Sequence, residues 1–196
     1  AVDSGSVEFG RRVVSIEQFP DSVRLNFLHE PSVDVDFVIG ADGIDSVVRE
    51  ALLGSELPKY TGYVAHRSIF PISRLGDMTL DDFCKWWSDD THGDRHIVVY
   101  FLDNRREEVY FVTGVPEAQW DHGLSFVDVE LDELRTAFDG FHPDVERLVG
   151  ACPSATKWPL FEREPLPLWS RGRVVLLGDA CHPMKPHMAQ GAAMAI

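Results

Sequence analysis

The chain has 196 residues, with 18 Lys or Arg against 32 Asp or Glu and a formal net charge of −14 at pH 7. This acidity argues against nucleic acid or an anionic membrane as the main partner, because both reward clustered basic side chains. The content of 44% hydrophobic and 26% charged residues excludes disordered, collagenous and coiled-coil chains, and no apolar run approaches the roughly 20 residues of a membrane span.

The first part of the chain predicts strands joined by tight turns. Residues 12–17 and 23–27 alternate between polar and apolar side chains on either side of a turn signal, which predicts a β-hairpin. Residues 33–39 begin with the same alternation and become continuously apolar, which is typical of a strand entering a buried sheet. A helix is then predicted over 46–53, closed by Gly54.

The middle of the chain, from about Lys59 to Trp169, is richer in aromatic residues and turns. Thr79 with Asp82 forms a capping-box pattern that predicts a short helix over 83–87. A second capping box begins at Ser125 and predicts a helix whose apolar face carries Leu131, Leu134 and Phe138.

Two further patterns complete the middle, and the last part resembles the first. Residues 96–102 and 108–113 predict an antiparallel pair of strands, and Pro143 opens a short helix. Residues 173–177 predict a short buried strand that ends at Gly178-Asp179. The order indicates a sheet-rich, nucleotide-type domain that is interrupted by an inserted second region.

The cysteines and the two ends of the sequence carry further expectations. Cys84, Cys152 and Cys181 are far apart and odd in number, so we expect reduced thiols in a cytoplasm rather than a disulfide framework or a zinc site. The sequence opens without a methionine and stops within the small-residue run 191–196. We therefore expect a fragment of a longer protein.

The first motif with chemical content is 40–43, Gly-Ala-Asp-Gly, followed by Ser46 and Arg49. Small residues at the end of a buried strand let a ligand approach the backbone, and a carboxylate beside a helix start accepts hydrogen bonds. The alternative is a plain strand-to-helix turn in which Asp42 caps the helix.

The second motif is longer. Gly178-Asp179 follows the last buried strand, then come a loop with Pro186 and a run of small residues from Gln190-Gly191 to Ala195. A helix N-terminus built from small residues points backbone N–H groups outward and suits an electron-rich or anionic ligand edge. A structural turn alone does not need so many small residues in succession.

In this order the two motifs resemble those of the flavin-dependent aromatic hydroxylases, the single-component FAD monooxygenases of the p-hydroxybenzoate hydroxylase type. Asp42-Gly43 with Arg49 resembles the family's DG motif, and Gly178-Asp179 with Pro186 and Gln190-Gly191 resembles its GD motif. The resemblance covers essentially the whole chain. The family's N-terminal GxGxxG, which seats the FAD pyrophosphate on a helix start, is absent from this sequence.

The resemblance implies FAD as the cofactor, with NADH and O2 as co-substrates. It implies that Asp179 holds a hydroxyl of the FAD sugar or ribitol chain, that 186–191 lies along the isoalloxazine ring, and that the DG region serves both FAD and NADH. The implied cofactor-binding residues are Asp42, Gly43, Arg49, Gly178, Asp179, Pro186, Gln190 and Gly191.

The implied fold class is α/β with mixed α+β character. Residues 1–58 and 170–196 are expected to form a partial FAD-binding Rossmann-like domain, and 59–169 an inserted antiparallel-sheet substrate domain. The implied substrate is a small aromatic acid, a hydroxylated pyridine carboxylate such as 6-hydroxynicotinate. Salicylate or 3-hydroxybenzoate is the alternative within the same chemistry.

The substrate chemistry predicts which residues act. Attack on an aromatic ring by a flavin hydroperoxide is electrophilic and is faster when the ring hydroxyl is deprotonated, so the site needs a base near neutrality, most simply His. Alternation places His96 and Tyr100 on one face of their strand, and His187 lies in the flavin-side loop. The site also needs a donor for the substrate carboxylate. We predict His96, Tyr100 and His187 as catalytic and substrate-contacting residues, with His96 or His187 as the base or the carboxylate donor and Tyr100 as a hydrogen-bond partner of the hydroxyl. Cys84 is predicted to line the pocket.

Several alternatives stay open. His96 and Tyr100 are equally well interpreted as solvent-facing strand residues. His66-Arg67 is interpreted as contacting the substrate or the nicotinamide donor, or equally well as part of a surface strand. His182 and His187 have no third ligand nearby in the sequence, so no metal is expected. A homodimer is possible, and the chain could also be a non-catalytic substrate-binding or dimerising fragment.

Overall fold

The computed structural model describes residues 4–89, 93–184 and 190–195. It divides into two units, Ala1–Lys59 with Phe161–Ile196, and Tyr60–Leu160. The limits predicted from the sequence, 1–58 with 170–196 and 59–169, remain a prediction.

Strands and short helices alternate along the described residues. The strands are β1 Val13–Gln18, β2 Val23–Phe27, β3 Val33–Val35, β4 Val38–Gly40, β5 Lys59–Pro71, β6 Phe83–Trp87, β7 His96–Phe101, β8 Glu108–Pro116, β9 Val127–Asp128, β10 Thr156–Glu162, β11 Ser170–Arg171 and β12 Val174–Leu176. The α-helices are α1 Val47–Leu53, α2 Leu131–Ala137, α3 Pro143–Ala151 and α4 Gln190–Ala193, with 3-10 turns at Ser4–Ser6, Ile72–Leu75 and Gly178–Ala180.

The first unit holds two small sheets and α1. β1, β2 and β3 form an antiparallel sheet, which confirms the predicted hairpin. β4 pairs in parallel with β12, and β12 pairs with β11. The predicted helix α1 is confirmed, with Ser46 as its N-cap and Gly54 as its C-cap. Its buried apolar residues, Val48 and Leu52, belong to one core cluster with residues of β1, β4 and β12, among them Ile16, Val38 and Leu176.

The single strand predicted over 33–39 is wrong. The segment divides into β3, which pairs with β2, and β4, which pairs with β12 in the other sheet. Each half has a different pairing partner, so the chain changes sheets between them. The guanidinium of Arg173 bonds the carbonyl oxygen of Asp36 at this point, and the N–H of Val38 donates to the carbonyl oxygen of Arg173.

The second unit is a six-stranded sheet with the order β6-β7-β8-β5-β10-β9. The predicted antiparallel pair β7 and β8 is confirmed. One face of the sheet carries the large buried side chains and packs on α2 and α3, and the predicted start of α3 at Pro143 is confirmed. The fully buried residues of this core include Phe70, Ile97, Phe111, Leu134, Phe138, Val145 and Leu148.

The helix predicted over 83–87 is wrong, because these residues form β6. β6 pairs with β7 along its whole length, with Cys84 opposite Val99 and Trp86 opposite Ile97. A capping box contributes only a local preference, whereas a paired strand rich in aromatic residues buries side chains against its neighbour. The pairing therefore outweighs the helix signal.

The second predicted capping box is also wrong, although the helix that it introduced exists. Asp128 lies in β9 and pairs with Thr156, and α2 begins later, with Glu130 as its N-cap. Leu134 and Phe138 are buried as predicted. No helix among the described residues is long and apolar enough to cross a membrane.

Candidate functional site

In the DG segment of the first unit, Asp42 acts as a cap for α1. Its carboxylate accepts hydrogen bonds from the Ser46 hydroxyl at 2.5 Å and from the Val48 N–H at 3.2 Å. Gly40 is required by close packing, because a Cβ there would lie 2.6 Å from Cγ1 of Val48. The alternative that Asp42 caps the helix thus describes its contacts, and a direct cofactor contact by Asp42 stays a prediction.

Arg49 links α1 to the turn that carries Asp179. Its side chain is 3% exposed, and one guanidinium nitrogen, Nη2, bonds Oε2 of Glu56 at 2.7 Å. The other, Nη1, lies 3.5 Å from the carbonyl oxygen of Ala180 and 3.4 Å from that of Cys181. Burial raises the pKa of the Cys181 thiol, and Arg49 opposes this shift. Arg49 therefore holds the turn, and its predicted contact with the cofactor remains untested.

The turn itself suits a ligand that carries hydroxyl groups. Gly178 has φ +61°, a conformation that other residues adopt only with strain, and its carbonyl oxygen accepts from the N–H groups of Cys181 and His182. Asp179 is exposed and has no hydrogen bond or ion pair within the described residues. A carboxylate without a protein partner is the acceptor that sugar or ribitol hydroxyls need, so the residues present fit FAD.

The remaining predicted residues of this motif are only partly described. The backbone of Gln190 and the whole of Gly191 lie in α4, and Gly191 is half-buried. Pro186 and His187 lie outside the described residues, so their predicted roles stay predictions. His, Cys, Asp and Glu side chains form no cluster that could hold a metal ion in the part of the chain that is described.

In the second unit, His96 and Tyr100 lie on the sheet face opposite the helices. The register places Gly114 opposite His96 and Tyr110 opposite Tyr100. His96 is only 7% exposed, so the solvent-facing alternative does not describe it. Its ring covers Gly114, where a Cβ would lie 2.2 Å from the His96 Cε1, and its centroid is 5.1 Å from that of Trp87.

Tyr100 belongs to a second group of side chains on the same face. Its ring centroid lies 5.0 Å from that of Tyr110. Burial raises the pKa of Tyr110, and the nearby Arg67 opposes this shift. The strand rises about 3.3 Å per residue, so the Cα atoms of His96 and Tyr100 are roughly 13 Å apart. A single-ring acid that lies between these two residues would contact His96 at one end and Tyr100 at the other.

A cavity of about 350 Å³ opens on this face beside Tyr110. The guanidinium of Arg67 lies over the ring of Trp158, 5.0 Å from its centroid, and Trp158 donates to the hydroxyl of Thr156 at 2.9 Å. The cavity is lined by Arg67, Ser68, Ile69, Tyr110, Asp128, Ser154, Ala155, Thr156 and Trp158. The sequence left Arg67 open between a ligand contact and a surface strand and favoured a core or interface position for Trp158. Alternation along β5 separates Arg67 from His66.

His66 lies on the opposite, helix-covered face and is excluded from this cavity. It is 1% exposed, its Nδ1 is 2.9 Å from the Thr113 hydroxyl, and its Nε2 is 3.9 Å from the Glu133 carboxylate. Burial lowers its pKa from 6.5 to about 4, with Glu133 opposing that shift and Lys157 adding to it. Lys157 bonds Glu117 and Glu133, at 2.9 Å each.

Cys84 also lies on the core-facing side, since its partner across the sheet is Val99. The structure therefore does not bring Cys84 together with His96 and Tyr100. Burial raises the pKa of the Cys84 thiol, which keeps it protonated. Its predicted place in the pocket stays a prediction.

Comparison with known proteins decides the family. The family model described as "FAD binding domain" matches residues 2–196. The chain belongs to the FAD binding domain family. The predicted flavin-dependent family, mixed α/β fold class and FAD cofactor are thereby confirmed at the level of the family.

Relatives of this FAD binding domain extend well beyond the matched residues. The chain is 56% identical to the 6-hydroxynicotinate 3-monooxygenase of Bordetella bronchiseptica and 49% identical to that of Pseudomonas fluorescens, over 100% of this chain and 50% of each protein. The solved salicylate hydroxylase substrate complex matches with a TM-score of 0.80 and 27% identity, over 95% of this chain and 49% of that one. The chain thus spans about half the length of the curated relatives that it matches.

Proposed function

We propose that the full-length protein carrying this chain is an FAD-dependent monooxygenase that converts 6-hydroxynicotinate, NADH, O2 and two protons into 2,5-dihydroxypyridine, CO2, NAD⁺ and water. One oxygen atom of O2 enters the ring where the carboxylate leaves, the other becomes water, and NADH provides the two electrons. The observation that carries the proposal is the 56% identity, over the whole chain, to a 6-hydroxynicotinate 3-monooxygenase.

The first unit is proposed to hold FAD, which when bound transfers electrons from NADH to O2. Asp179 would accept hydrogen bonds from hydroxyl groups of FAD, since its carboxylate is exposed and has no partner in the described residues. Arg49 and Asp42 would act indirectly, because the first bonds the turn of Asp179 and the second caps α1.

The second unit is proposed to hold the aromatic acid on the face that carries His96 and Tyr100. An imidazole nitrogen of His96 would take the proton of the ring hydroxyl, which makes the ring more electron-rich and more reactive toward an electrophile. The Tyr100 hydroxyl would bond the substrate oxygen. His187 is the other proposed base, from its place in the sequence beside Pro186.

The same chemistry on salicylate or 3-hydroxybenzoate is a second candidate function. The observation that favours it is the similarity to a salicylate hydroxylase in its substrate complex, with a TM-score of 0.80. The sequence identity in that comparison is 27%, against 56% for the 6-hydroxynicotinate enzyme. A homodimer and a cytoplasmic location stay predictions.

The test is substrate-dependent NADH oxidation by the flavin-loaded full-length protein, with the product identified for each acid. We expect 6-hydroxynicotinate to stimulate NADH oxidation and to give 2,5-dihydroxypyridine with one CO2 per NADH. Hydrogen peroxide measured in parallel separates hydroxylation from unproductive oxidation. If 6-hydroxynicotinate stimulates neither NADH use nor product formation while salicylate does, the second candidate replaces the first.

A further inference from the structure

The cavity beside Tyr110 contains an arginine without a counter-ion. Arg67 has no hydrogen bond and no ion pair in the described part of the chain, and its Nε is buried without a partner. Every other arginine there that is not exposed donates to a carboxylate or a carbonyl oxygen, namely Arg11, Arg24, Arg49, Arg95, Arg163 and Arg173. A partly buried guanidinium without a partner is costly, which makes an anionic ligand favourable beside Arg67.

The walls of the cavity select a flat ligand. The Trp158 ring carries Arg67 on its π-face and stacks on Phe126, with centroids 4.6 Å apart and an interplanar angle of 18°. The bond from Trp158 to Thr156 holds the indole in place, and Tyr110 closes another side. A volume of about 350 Å³ lies within the range of roughly 300–1,000 Å³ that is usual for small-molecule sites.

One more group in the cavity restricts the charge of the ligand. Asp128 lines it and is exposed, with no ion pair to Arg67. Its carboxylate repels a second negative charge, so a monoanion is favoured over a dianion such as a phosphate monoester. The guanidinium of Arg67 offers a planar set of donors that matches a single carboxylate.

We infer that this cavity binds an aromatic monocarboxylate, with its carboxylate on Arg67 and its ring against Trp158 and Tyr110. The inference rests on the proposed function, because the ligand is the aromatic acid substrate. Arg67 thereby determines specificity, since it requires the carboxylate that the reaction later removes. Tyr100, 5.0 Å from Tyr110 between ring centroids, connects the cavity to the proposed catalytic face.

The test compares two ligands that differ only in the carboxylate, 6-hydroxynicotinate and 2-hydroxypyridine. Their dissociation constants are measured by flavin absorbance or tryptophan fluorescence with the flavin-loaded full-length protein. We expect Arg67→Met to weaken 6-hydroxynicotinate binding about 10- to 100-fold, the usual effect of losing charge-assisted hydrogen bonds, and to change 2-hydroxypyridine binding by less than about 3-fold. Arg67→Lys should lie between the two.

Two further variants sharpen the result. Asp128→Asn removes the repulsion and should lower the dissociation constant of 6-hydroxynicotinate. Arg105→Met, which removes an exposed arginine of the same unit, should change the dissociation constant of neither ligand. Equal weakening of both ligands by Arg67→Met, or weakening of neither, overturns the inference. A folding defect in Arg67→Met would show as a loss of flavin content, and Arg67→Lys, which keeps the positive charge, is the control for it.

The outcome is separable from that of the proposed function. Arg67-dependent binding of 6-hydroxynicotinate without turnover would contradict the proposed reaction and support the carboxylate site. If the protein turns over 6-hydroxynicotinate and Arg67→Met leaves the KM for this substrate unchanged, the proposed reaction is supported and the carboxylate site is refuted. If another acid is the substrate, the same comparison is made with that acid and its analogue without the carboxylate.

Discussion

The guanidinium of Arg49 lies 3.4 Å from the carbonyl oxygen of Cys181, 132 residues further along the chain. This contact joins the helix after the DG segment to the turn that carries Asp179. Because Arg49 is buried and also pairs with Glu56, its guanidinium is held in place and restrains the backbone of that turn. The two segments that the sequence predicts as cofactor motifs are therefore in direct contact in the structure.

Removal of this link should loosen the flavin site. Arg49→Met removes the donor of two carbonyl oxygens and leaves the Glu56 carboxylate only the longer ion pair with Arg163, at 3.8 Å. The cost is about 1–3 kcal/mol in the free energy of unfolding. We expect a lower urea midpoint and a lower flavin content after purification of the full-length protein. Glu56→Gln, which keeps the carbonyl contacts, should show a smaller loss of both. An unchanged urea midpoint for Arg49→Met would refute this role.

The two aspartates of the motifs should differ in kind. Asp179→Asn should weaken FAD binding with little change in stability, because Asp179 contacts no protein group in the described residues. Asp42→Asn should lower stability by about 1 kcal/mol through the weakened cap of α1 and affect FAD less. Flavin titration and urea unfolding of both variants measure the contrast. Equal effects of the two substitutions would contradict it.

His66 should make the protein less stable in acid. Its pKa is about 4 in the folded chain against 6.5 in its ordinary state, so the unfolded chain binds more protons between these values. Stability from this group is present above pH 6.5 and is lost as the pH falls toward 4, by about 3 kcal/mol in total. The groups that face it are Thr113, Glu133 and Lys157.

The measurement is urea unfolding at a series of pH values for the parent and His66→Gln. The difference between the two curves of unfolding free energy against pH removes the contribution of the other titratable groups. We expect the variant to lose the steep decline between pH 6.5 and 4 that the parent shows. Parallel curves would mean that His66 does not couple folding to protonation.

Gly114 should control the position of His96. A Cβ at residue 114 would lie 2.2 Å from the His96 Cε1, so Gly114→Ala must displace the imidazole. We expect kcat to fall about 10- to 100-fold, as misplaced catalytic groups do, with FAD retained. Gly150→Ala in α3 is the matched control, because a Cβ there would meet no atom within 4 Å and the helix should gain roughly 0.5–1 kcal/mol. Full activity of Gly114→Ala would remove His96 from the proposed mechanism.

His187 is tested through the ratio of turnover to flavin content. If it is the base, His187→Ala should lower kcat about 100-fold or more and leave FAD content near that of the parent. His29→Ala, a change at an exposed histidine, should affect neither. A parallel loss of turnover and flavin would assign His187 a structural role.

The missing pyrophosphate seat gives a prediction for the chain by itself. The sequence contains no GxGxxG, the element that places the FAD pyrophosphate at a helix start. We expect the 196 residues alone to bind FAD weakly or not at all, as measured by flavin absorbance after equilibrium dialysis. A yellow, flavin-saturated chain would exclude the alternative of a non-catalytic fragment.

Elements whose signals are local were predictable from the amino-acid sequence. The hairpin β1–β2, the pair β7–β8 and helices α1 and α3 follow from alternation, caps and turns within a few residues. The FAD-dependent family was also predictable, because small residues and a carboxylate at a strand end have a direct chemical purpose, whereas the roles of the individual motif residues stay predictions. The same alternation placed His96 and Tyr100 on one face.

Features that depend on partners far away in the sequence became visible in the folded chain alone. β6 is a strand because it pairs with β7. Residues 33–39 divide into two strands because β3 pairs in one sheet and β4 pairs in another. The side of the sheet covered by helices separates Cys84 from His96, and the approach of β10 to β5 brings Trp158 to Arg67. Pairing and burial across long sequence separations outweigh local propensity, so no pattern of neighbouring residues encodes them.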